Sequence, residues 1–455
     1  MHATIIRRLV GWAVAVFHDV ERTGPRLASG PVLVTANHPN ALVDPLVIFH
    51  TAGRATRPLA KAPLFEQAVV GTVLQGLGGL PVYRRQDDPA LMHLNERTFD
   101  AAIAALRSGE AVQIYPEGQS HSEPAMAPLR TGAARIALMA EEQAGWGLGL
   151  RVQPVGLTYT RKHLFRGRAI ASYGEPFPVA PWRSAWERDP RRAVAELTEE
   201  IRRRLERLTL NFERAEDAAV VDVAERLYAH EKGLTRARGR DRMVERLPRL
   251  GRFARGLHRL RDEDPERLAR LRRDVSRYMR ILGLLGATEG DVPIGYGPGS
   301  VIRYTTVHAL LLALVLPVAA VGVAYWAVPF LVTRHIVTGL RPELDQVATY
   351  KVGVGGMALA AWLAVTAVAI GLTAGWGTAG LAAGVLPACG LAAVAWGERR
   401  AVVREDLRIF LRLLRRRGRV TRLAELRAEI VAEIDAVIDR WGSDPAGVGP
   451  RDGSA

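Results

Sequence analysis

The strongest constraint on this chain lies in its last third, where residues 307–332 and 352–396 run without a single Asp, Glu, Lys or Arg. The hydrocarbon core of a bilayer takes about 20 apolar residues as one helix, and backbone placed there must satisfy its own hydrogen bonds. The first run is long enough for one crossing, with kinks expected at Pro317 and Pro329. The second is long enough for two, joined near Gly375-Trp376-Gly377. Three crossings would put the arginine-rich residues 236–303 and 399–422 on opposite sides. The positive-inside tendency prefers both on the cytoplasmic side, so an even count with a re-entrant first segment stays open on sequence alone.

The remainder has the make-up of a folded, basic protein. Its 455 residues are 48% hydrophobic, which is room for two or three domains with a sizeable core. The net charge of +15 is carried almost wholly by arginine, since the lysines are Lys61, Lys162, Lys232 and Lys351. Such a balance favours an anionic partner: phospholipid headgroups, nucleic acid or a phosphorylated substrate. The single cysteine, Cys389, excludes a disulfide framework and a cysteine metal site. Near the start, Arg7 and Arg8 precede an apolar run ending at Phe17, but the following His18-Asp-Val-Glu-Arg22 offers no small-residue cleavage site. The expectation is a retained helix lying on the membrane surface or packed on the domain, too short to span.

Chemistry concentrates at residues 32–46, Val-Leu-Val-Thr-Ala-Asn-His-Pro-Asn-Ala-Leu-Val-Asp-Pro-Leu. Residues 32–35 read as a buried strand, and Asn37, Pro39 and Asn40 are turn residues that lead the chain off its end. His38 would then sit at the carboxyl edge of the strand, where open α/β sheets present ligand sites. On one continuous helix, His38 and Asp44 would face different ways. They meet only if His38 lies in the turn and Asp44 at the start of the following helix. An imidazole with one nitrogen held by a carboxylate and the other free is a general base for a hydroxyl. A structural role competes: Asp44 before Pro45 is also a good helix N-cap with proline at N1.

Four other positions carry functional and structural readings side by side. Arg84 follows a strand-like segment at 80–83, where a guanidinium grips a phosphate with paired hydrogen bonds or forms a surface salt bridge. Glu117-Gly118 forms a tight turn after the strand at 111–115, whose N–H groups face a developing oxyanion or the acceptor, or simply close a loop. Arg130, beside Thr131-Gly132, is a second phosphate contact or a solvated arginine. His121 is a second active-site imidazole or a hydrogen-bonded loop histidine. No closed zinc-ligand spacing is present, and no Gly-x-Ser-x-Gly elbow of a serine hydrolase.

The His38 to Asp44 segment is followed in order by Gly79-Leu-Pro-Val-Tyr-Arg84, Ile114-Tyr-Pro-Glu-Gly118 and Val152-Gln-Pro-Val-Gly-Leu-Thr-Tyr159. In order and interval these resemble the four blocks of the glycerolipid acyltransferases, which include glycerol-3-phosphate and 1-acylglycerol-3-phosphate acyltransferases. The likeness covers about residues 28–178 and includes Arg130-Thr-Gly132, where Arg130 stands for the usual lysine. Five residues separate His38 from Asp44 where the commonest form has four, and Gln119-Ser-His-Ser122 replaces the usual threonine and arginine. Both departures resemble the fungal-type glycerol-3-phosphate/dihydroxyacetone-phosphate acyltransferase branch.

The resemblance implies an α/β acyltransferase domain with a mainly parallel sheet, followed by an α-helical basic region and C-terminal transmembrane helices. It implies catalytic His38 and Asp44, substrate-binding Arg84, Glu117, Gly118 and Arg130, no metal, and no cofactor beyond acyl-CoA or acyl carrier protein as co-substrate. Expected partners are membrane lipids and a phosphorylated glycerol or lysophospholipid acceptor, with no nucleic acid and an active site on the cytoplasmic face. The domains expected are residues 1–20, a membrane-surface helix; 21–180, the acyltransferase domain; 181–300, an arginine-rich helical region; 301–398, the transmembrane segments; and 399–455, a basic amphipathic helix and tail. The arginine helices lack the interleaved aromatics of single-strand nucleic-acid binders. Acylation of another lysophospholipid, or nonenzymatic membrane binding, are the rival functions.

Overall fold

The chain Val32-Leu-Val-Thr-Ala36 is buried at every residue, the pattern of a strand covered on both faces. In this computed structural model, which describes residues 11, 14, 15, 17–83, 95–160, 167–234, 243–285, 298–340, 347–414 and 417–441, that segment lies inside an eight-stranded sheet. The elements of the sheet region are β1 (His18–Thr23), β2 (Val32–Ala36), α1 (Val43–Thr51), β3 (Thr56–Lys61), α2 (Ala68–Gly76), β4 (Leu80–Val82), α3 (Asn95–Arg107), β5 (Ala111–Ile114), α4 (Gly132–Gln143), β6 (Arg151–Tyr159), β7 (Gly167–Tyr173) and β8 (Phe177–Pro178). They are followed by α5 (Arg183–Arg188) and α6 (Pro190–Leu208). The strand order is β1-β7-β6-β2-β5-β3-β4, with β8 beside β6. All pairings are parallel except β6 with β7 and β6 with β8.

Alternation along the strands divides the core in two. Leu33, Val112 and Val152 pack with Ile103, Leu106, Ile136 and Leu138 from α3 and α4 on one face. Val32, Val34, Val155 and Leu157 pack with Val47 and Ile48 from α1 on the other. Helices thus cover both faces, the arrangement that a parallel sheet requires.

Two boundaries differ from expectation. β1 begins at His18, so the strand takes over residues assigned to the first helix; of the preceding segment, residues 11, 14, 15 and 17 are described and are helical. The domain edge placed at 180 also moves. Asp189 caps α6, accepting from the N–H groups of Arg191 at 3.0 Å and Arg192 at 3.2 Å, with Pro190 at the first position. Its stripe of Ala193, Leu197, Ile201 and Leu205 is buried in the same core as α3 and α4. The compact unit that contains the sheet comprises Met1–Asn211 and Val328–Val368.

The second unit comprises Phe212–Ala327 and Ala369–Ala455. Its helices include α7 (Ala215–Glu231), α8 (Met243–Glu263) and α9 (Pro265–Leu285). The arginine-rich helical region is divided at Asp264, whose side chain accepts from Arg267 N–H at 3.0 Å ahead of α9. Fully buried Glu225 pairs with Arg246 at 2.6 Å and Arg249 at 2.7 Å, and buried Asp217 pairs with Arg261 and Arg272. By contrast Arg270, Arg273, Arg277 and Arg280 of α9 are exposed and have no ion-pair partner among the described residues.

Further on come α10 (Pro298–Leu340), α11 (Val347–Ala374), α12 (Trp376–Leu414) and α13 (Arg417–Trp441). Three helices are long and apolar enough to cross a membrane among the described residues: Ile302–Leu340, Gly353–Ala374 and Trp376–Arg404. α10 continues through Pro317 and Pro329 as one helix. The break before α12 falls at Gly375, whose φ of +94° suits a residue without Cβ. Within the second unit the indole N–H groups of Trp326 and Trp396 donate to Leu386 O at 2.9 Å and Leu312 O at 2.8 Å, so neither is left unpaired on an apolar helix.

Candidate active site

β2 and β5 are parallel neighbours, with Thr35 opposite Ile114, so the chain leaves both at the same edge of the sheet. His38 emerges two residues beyond β2 and Glu117 three beyond β5. The side chain of Asn37 fixes the first exit against β6: its amide donates to Leu157 O at 3.0 Å and its oxygen accepts from Leu157 N–H at 2.7 Å.

His38 and Asp44 do meet. The Nδ1–Oδ2 distance is 2.8 Å, with Asp44 fully buried and His38 19% exposed. Asp44 is not the helix cap: α1 begins at Val43, its cap position is Leu42, and no side chain caps it. The carboxylate instead faces inward, where Oδ2 also accepts from Asn40 N–H at 2.8 Å and Oδ1 accepts from the Tyr159 hydroxyl at 2.6 Å. With Nδ1–H held by Asp44, Nε2 is the acceptor nitrogen, and it has no partner among the described residues. The imidazole stacks on the Tyr115 ring, with centroids 4.2 Å apart and planes 22° from parallel. The Tyr115 hydroxyl donates to Gln113 Oε1 at 3.1 Å, away from the histidine. Burial first, and then the charge of Asp44, push both Tyr159 and Tyr115 well above the ordinary tyrosine range, so both stay protonated donors.

Glu117 lies in the site but does not present its carboxylate to solvent. Its side chain is 1% exposed; Oε1 accepts from His38 N–H at 2.8 Å, while Oε2 accepts from Ala127 N–H at 2.6 Å and pairs with His121 Nε2 at 2.5 Å. Where the sequence suggested substrate contact, this carboxylate bridges the loops after β2 and β5. His121 is the hydrogen-bonded loop histidine: its other ring nitrogen accepts from Glu123 N–H at 3.3 Å, and its own N–H donates to His38 O at 3.2 Å. Gly118 N–H closes the turn onto Tyr115 O at 3.0 Å, which removes it as an oxyanion donor.

Gly118 has φ +74°, and a Cβ there would stand 2.7 Å from Arg130 Nε. Arg130 therefore crosses bare backbone beside the turn. Its N–H donates to Pro116 O at 2.7 Å, and its guanidinium is exposed without an ion-pair partner among the described residues. Arg84 lies outside the described residues. No group of three or more metal-ligating side chains occurs among the described residues.

Sequence reasoning gave Asn37 a turn role only, and gave Tyr115 and Tyr159 no role. A signal for Tyr159 existed, because alternation from Val155 through Leu157 puts it on the α1 side of the sheet.

A buried carboxylate orienting a histidine at the carboxyl edge of a parallel sheet is an arrangement able to act as a general base on a hydroxyl or water. Residues 17–158 match the family described as Acyltransferase, so the resemblance carried by the four blocks holds over this domain. Glycerol-3-phosphate O-acyltransferase 2 of Saccharomyces cerevisiae is 34% identical over 135 residues, covering 30% of this chain and 18% of that protein. Glycerol-3-phosphate O-acyltransferase 1 of the same yeast is 31% identical over 126 residues, covering 27% and 16%. The matched stretch thus spans less than a fifth of either yeast protein. The crystal structure of the 1-acyl-sn-glycerophosphate acyltransferase PlsC from Thermotoga maritima aligns at 20% identity with a TM-score of 0.32, over 44% of this chain and 77% of that one.

Proposed function

We propose that this protein is a membrane O-acyltransferase that moves a fatty acyl group from a thioester, acyl-CoA or acyl-carrier protein, to a hydroxyl of glycerol-3-phosphate. The observation that carries the reading is the His38–Asp44 pair at 2.8 Å with Nε2 left free at the sheet edge. Nε2 takes the proton of the acceptor hydroxyl as its oxygen attacks the thioester carbonyl. Asp44 stabilises the imidazolium that forms. The tetrahedral intermediate then expels the thiolate, which recovers the proton from His38. Arg130, exposed and unpaired beside Gly118, binds the acceptor phosphate; its planar fork suits that anion.

Similarity to two yeast glycerol-3-phosphate acyltransferases favours that acceptor. The runner-up is 1-acylglycerol-3-phosphate, which offers the same phosphate and a second hydroxyl. The three apolar helices support integral insertion, with the site at the cytoplasmic face where thioester donors are made. The unpaired arginines of α9 fit anionic headgroups as lipid partners.

The test is purified full-length protein in detergent, offered each acceptor separately with labelled acyl-CoA. Acylated product with glycerol-3-phosphate is expected, falling about 10² to 10⁴-fold in folded His38→Ala. Binding of donor and acceptor without product would make the protein a nonenzymatic lipid-binding module instead.

A further inference from the structure

We infer that Tyr159 is a positioning residue of the general-base site, acting on His38 through Asp44. The inference rests on the acyl-transfer reading for its effect on rate, but not for its effect on the histidine itself.

Asp44 Oδ2 accepts from both His38 Nδ1 and Asn40 N–H, which fills the two lone-pair sites of that oxygen. Tyr159 supplies the donor to the other oxygen, at 2.6 Å. It arrives from the end of β6, 115 residues away along the chain, and so couples the carboxylate on α1 to the sheet. Two consequences follow. The hydroxyl fixes the rotation of the carboxylate, which fixes the plane in which His38 is held. It also draws negative charge from the carboxylate, so Asp44 stabilises the imidazolium less than a bare carboxylate would. Tyr159 thereby sets both the orientation and the charge of the carboxylate that His38 faces.

The other titratable groups around the pair are Tyr115 against the imidazole, Glu117 and His121 in the loop clipped to the His38 backbone, Tyr173 near Tyr115, and His18, whose ring meets that of Tyr159 edge-on at 6.1 Å. Tyr115 donates to Gln113, and Glu117 reaches the His38 main chain rather than its ring. Tyr159 is therefore the one tyrosine of this group whose hydroxyl is bonded to Asp44.

The experiment compares full-length protein in detergent with Tyr159→Phe and with 3-fluorotyrosine at position 159, which keeps the ring and makes the hydroxyl a stronger donor. Reaction of His38 with diethylpyrocarbonate, followed by peptide mass spectrometry across pH, reads the protonation of the base without turnover. The midpoint should rise by about one pH unit in Tyr159→Phe and fall with fluorotyrosine. The acid limb of kcat/KM for the acceptor should move the same way. At neutral pH kcat for Tyr159→Phe should drop about tenfold and recover as pH is raised, with donor KM unchanged. A packing role predicts no shift, because phenylalanine keeps the ring. An unmoved midpoint in folded Tyr159→Phe overturns the inference. Should that variant not fold, an unmoved midpoint with fluorotyrosine overturns it equally. If wild-type protein turns over neither acceptor yet the midpoint moves in opposite directions, the positioning role stands and the acyl-transfer reading falls.

Discussion

Glu117 holds His38 by its main chain and not by its ring: Oε1 accepts the His38 N–H at 2.8 Å while the carboxylate also gathers Ala127 N–H and His121. Three donors converge on two buried oxygens, so the loops after β2 and β5 are tied together at the site. Replacing the carboxylate by an amide turns an acceptor into a donor facing another donor. Glu117→Gln should therefore lose about 1–3 kcal/mol in denaturant unfolding, the cost of leaving a buried polar group unpaired. It should also lower kcat, because His38 is released. Direct substrate contact by Glu117 would instead raise acceptor KM at unchanged stability.

Asp44→Asn separates an orienting carboxylate from a helix cap. Asparagine is an excellent cap, so a capping role forecasts little change. In the observed network the amide would set a donor against Asn40 N–H, Tyr159 or His38 Nδ1–H, and would favour the tautomer that protonates Nε2. Turnover should fall by at least 10²-fold, measured alongside the thermal midpoint to show that the protein remains folded.

Arg130 and Gly118 form a second pair open to test. Arg130→Ala removes an exposed, unpaired guanidinium and should raise acceptor KM while leaving thermal stability and donor KM alone. Gly118→Ala places a methyl group where the Arg130 side chain runs and forces φ +74° on an ordinary residue. It should cost about 1–2 kcal/mol and also raise acceptor KM. An Arg130→Ala enzyme with wild-type acceptor KM would return Arg130 to the solvated surface.

Alkaline stability follows from the tyrosines behind the site. Burial pushes Tyr115 and Tyr159 well above their ordinary range and Tyr173 up to about 12. Unfolded tyrosine ionises near pH ~10. Above that point the folded state holds more protons than the unfolded state, so stability is complete below about pH 10 and declines as pH rises toward the folded values. Urea midpoints measured from about pH 9 to 11 should fall over this window, less steeply in Tyr159→Phe.

The unpaired face of α9 makes a prediction about lipid. Arg270, Arg273, Arg277 and Arg280 recur at helical spacing on one exposed face, unlike Arg246, Arg249, Arg261 and Arg272, which are spent on buried carboxylates. Detergent-purified full-length protein should retain phosphatidylglycerol over phosphatidylcholine, and the preference should shrink in high salt. Changing the four outer arginines to glutamine should abolish it. Equal retention by the variant would assign this face to water.

What was legible in the sequence was local. The apolar β-branched run gave β2, the segment after Gly109 gave β5, turn chemistry gave the exit at Asn37–Asn40, and apolar length gave the spanning stretches and their break near Gly375 but not the number of crossings. The approach of His38 to Asp44 was legible too, because a six-residue separation leaves few geometries. Contacts that depend on how strands are ordered were not. Glu117 reaches His38 across 79 residues and Tyr159 reaches Asp44 across 115, and each needs the β5-β2-β6 order to be known first. The edge of the sheet domain was misplaced for a related reason: the charged face of α6 dominates its composition, while only four buried apolar residues tie it to the core. The basic helix expected from 399 begins earlier still, since α12 runs through Gly397 and the charges at Glu398–Arg400 to Leu414 without a break.

Ala41 has φ +40°, a left-handed turn made by a residue that has a Cβ, and it lies between the histidine and the aspartate. His38 is anchored by Asn37 to β6 and by Glu117 and His121 to the loop after β5, so its place does not depend on how many residues follow it. One extra residue can then be absorbed as a local twist without moving the base. A motif defined by a fixed count between His and Asp would pass over this site, whereas a definition by carboxylate reach from the end of the strand would find it. Here the spacing of the pair is a property of the loop, and the place of His38 is a property of the sheet beneath it.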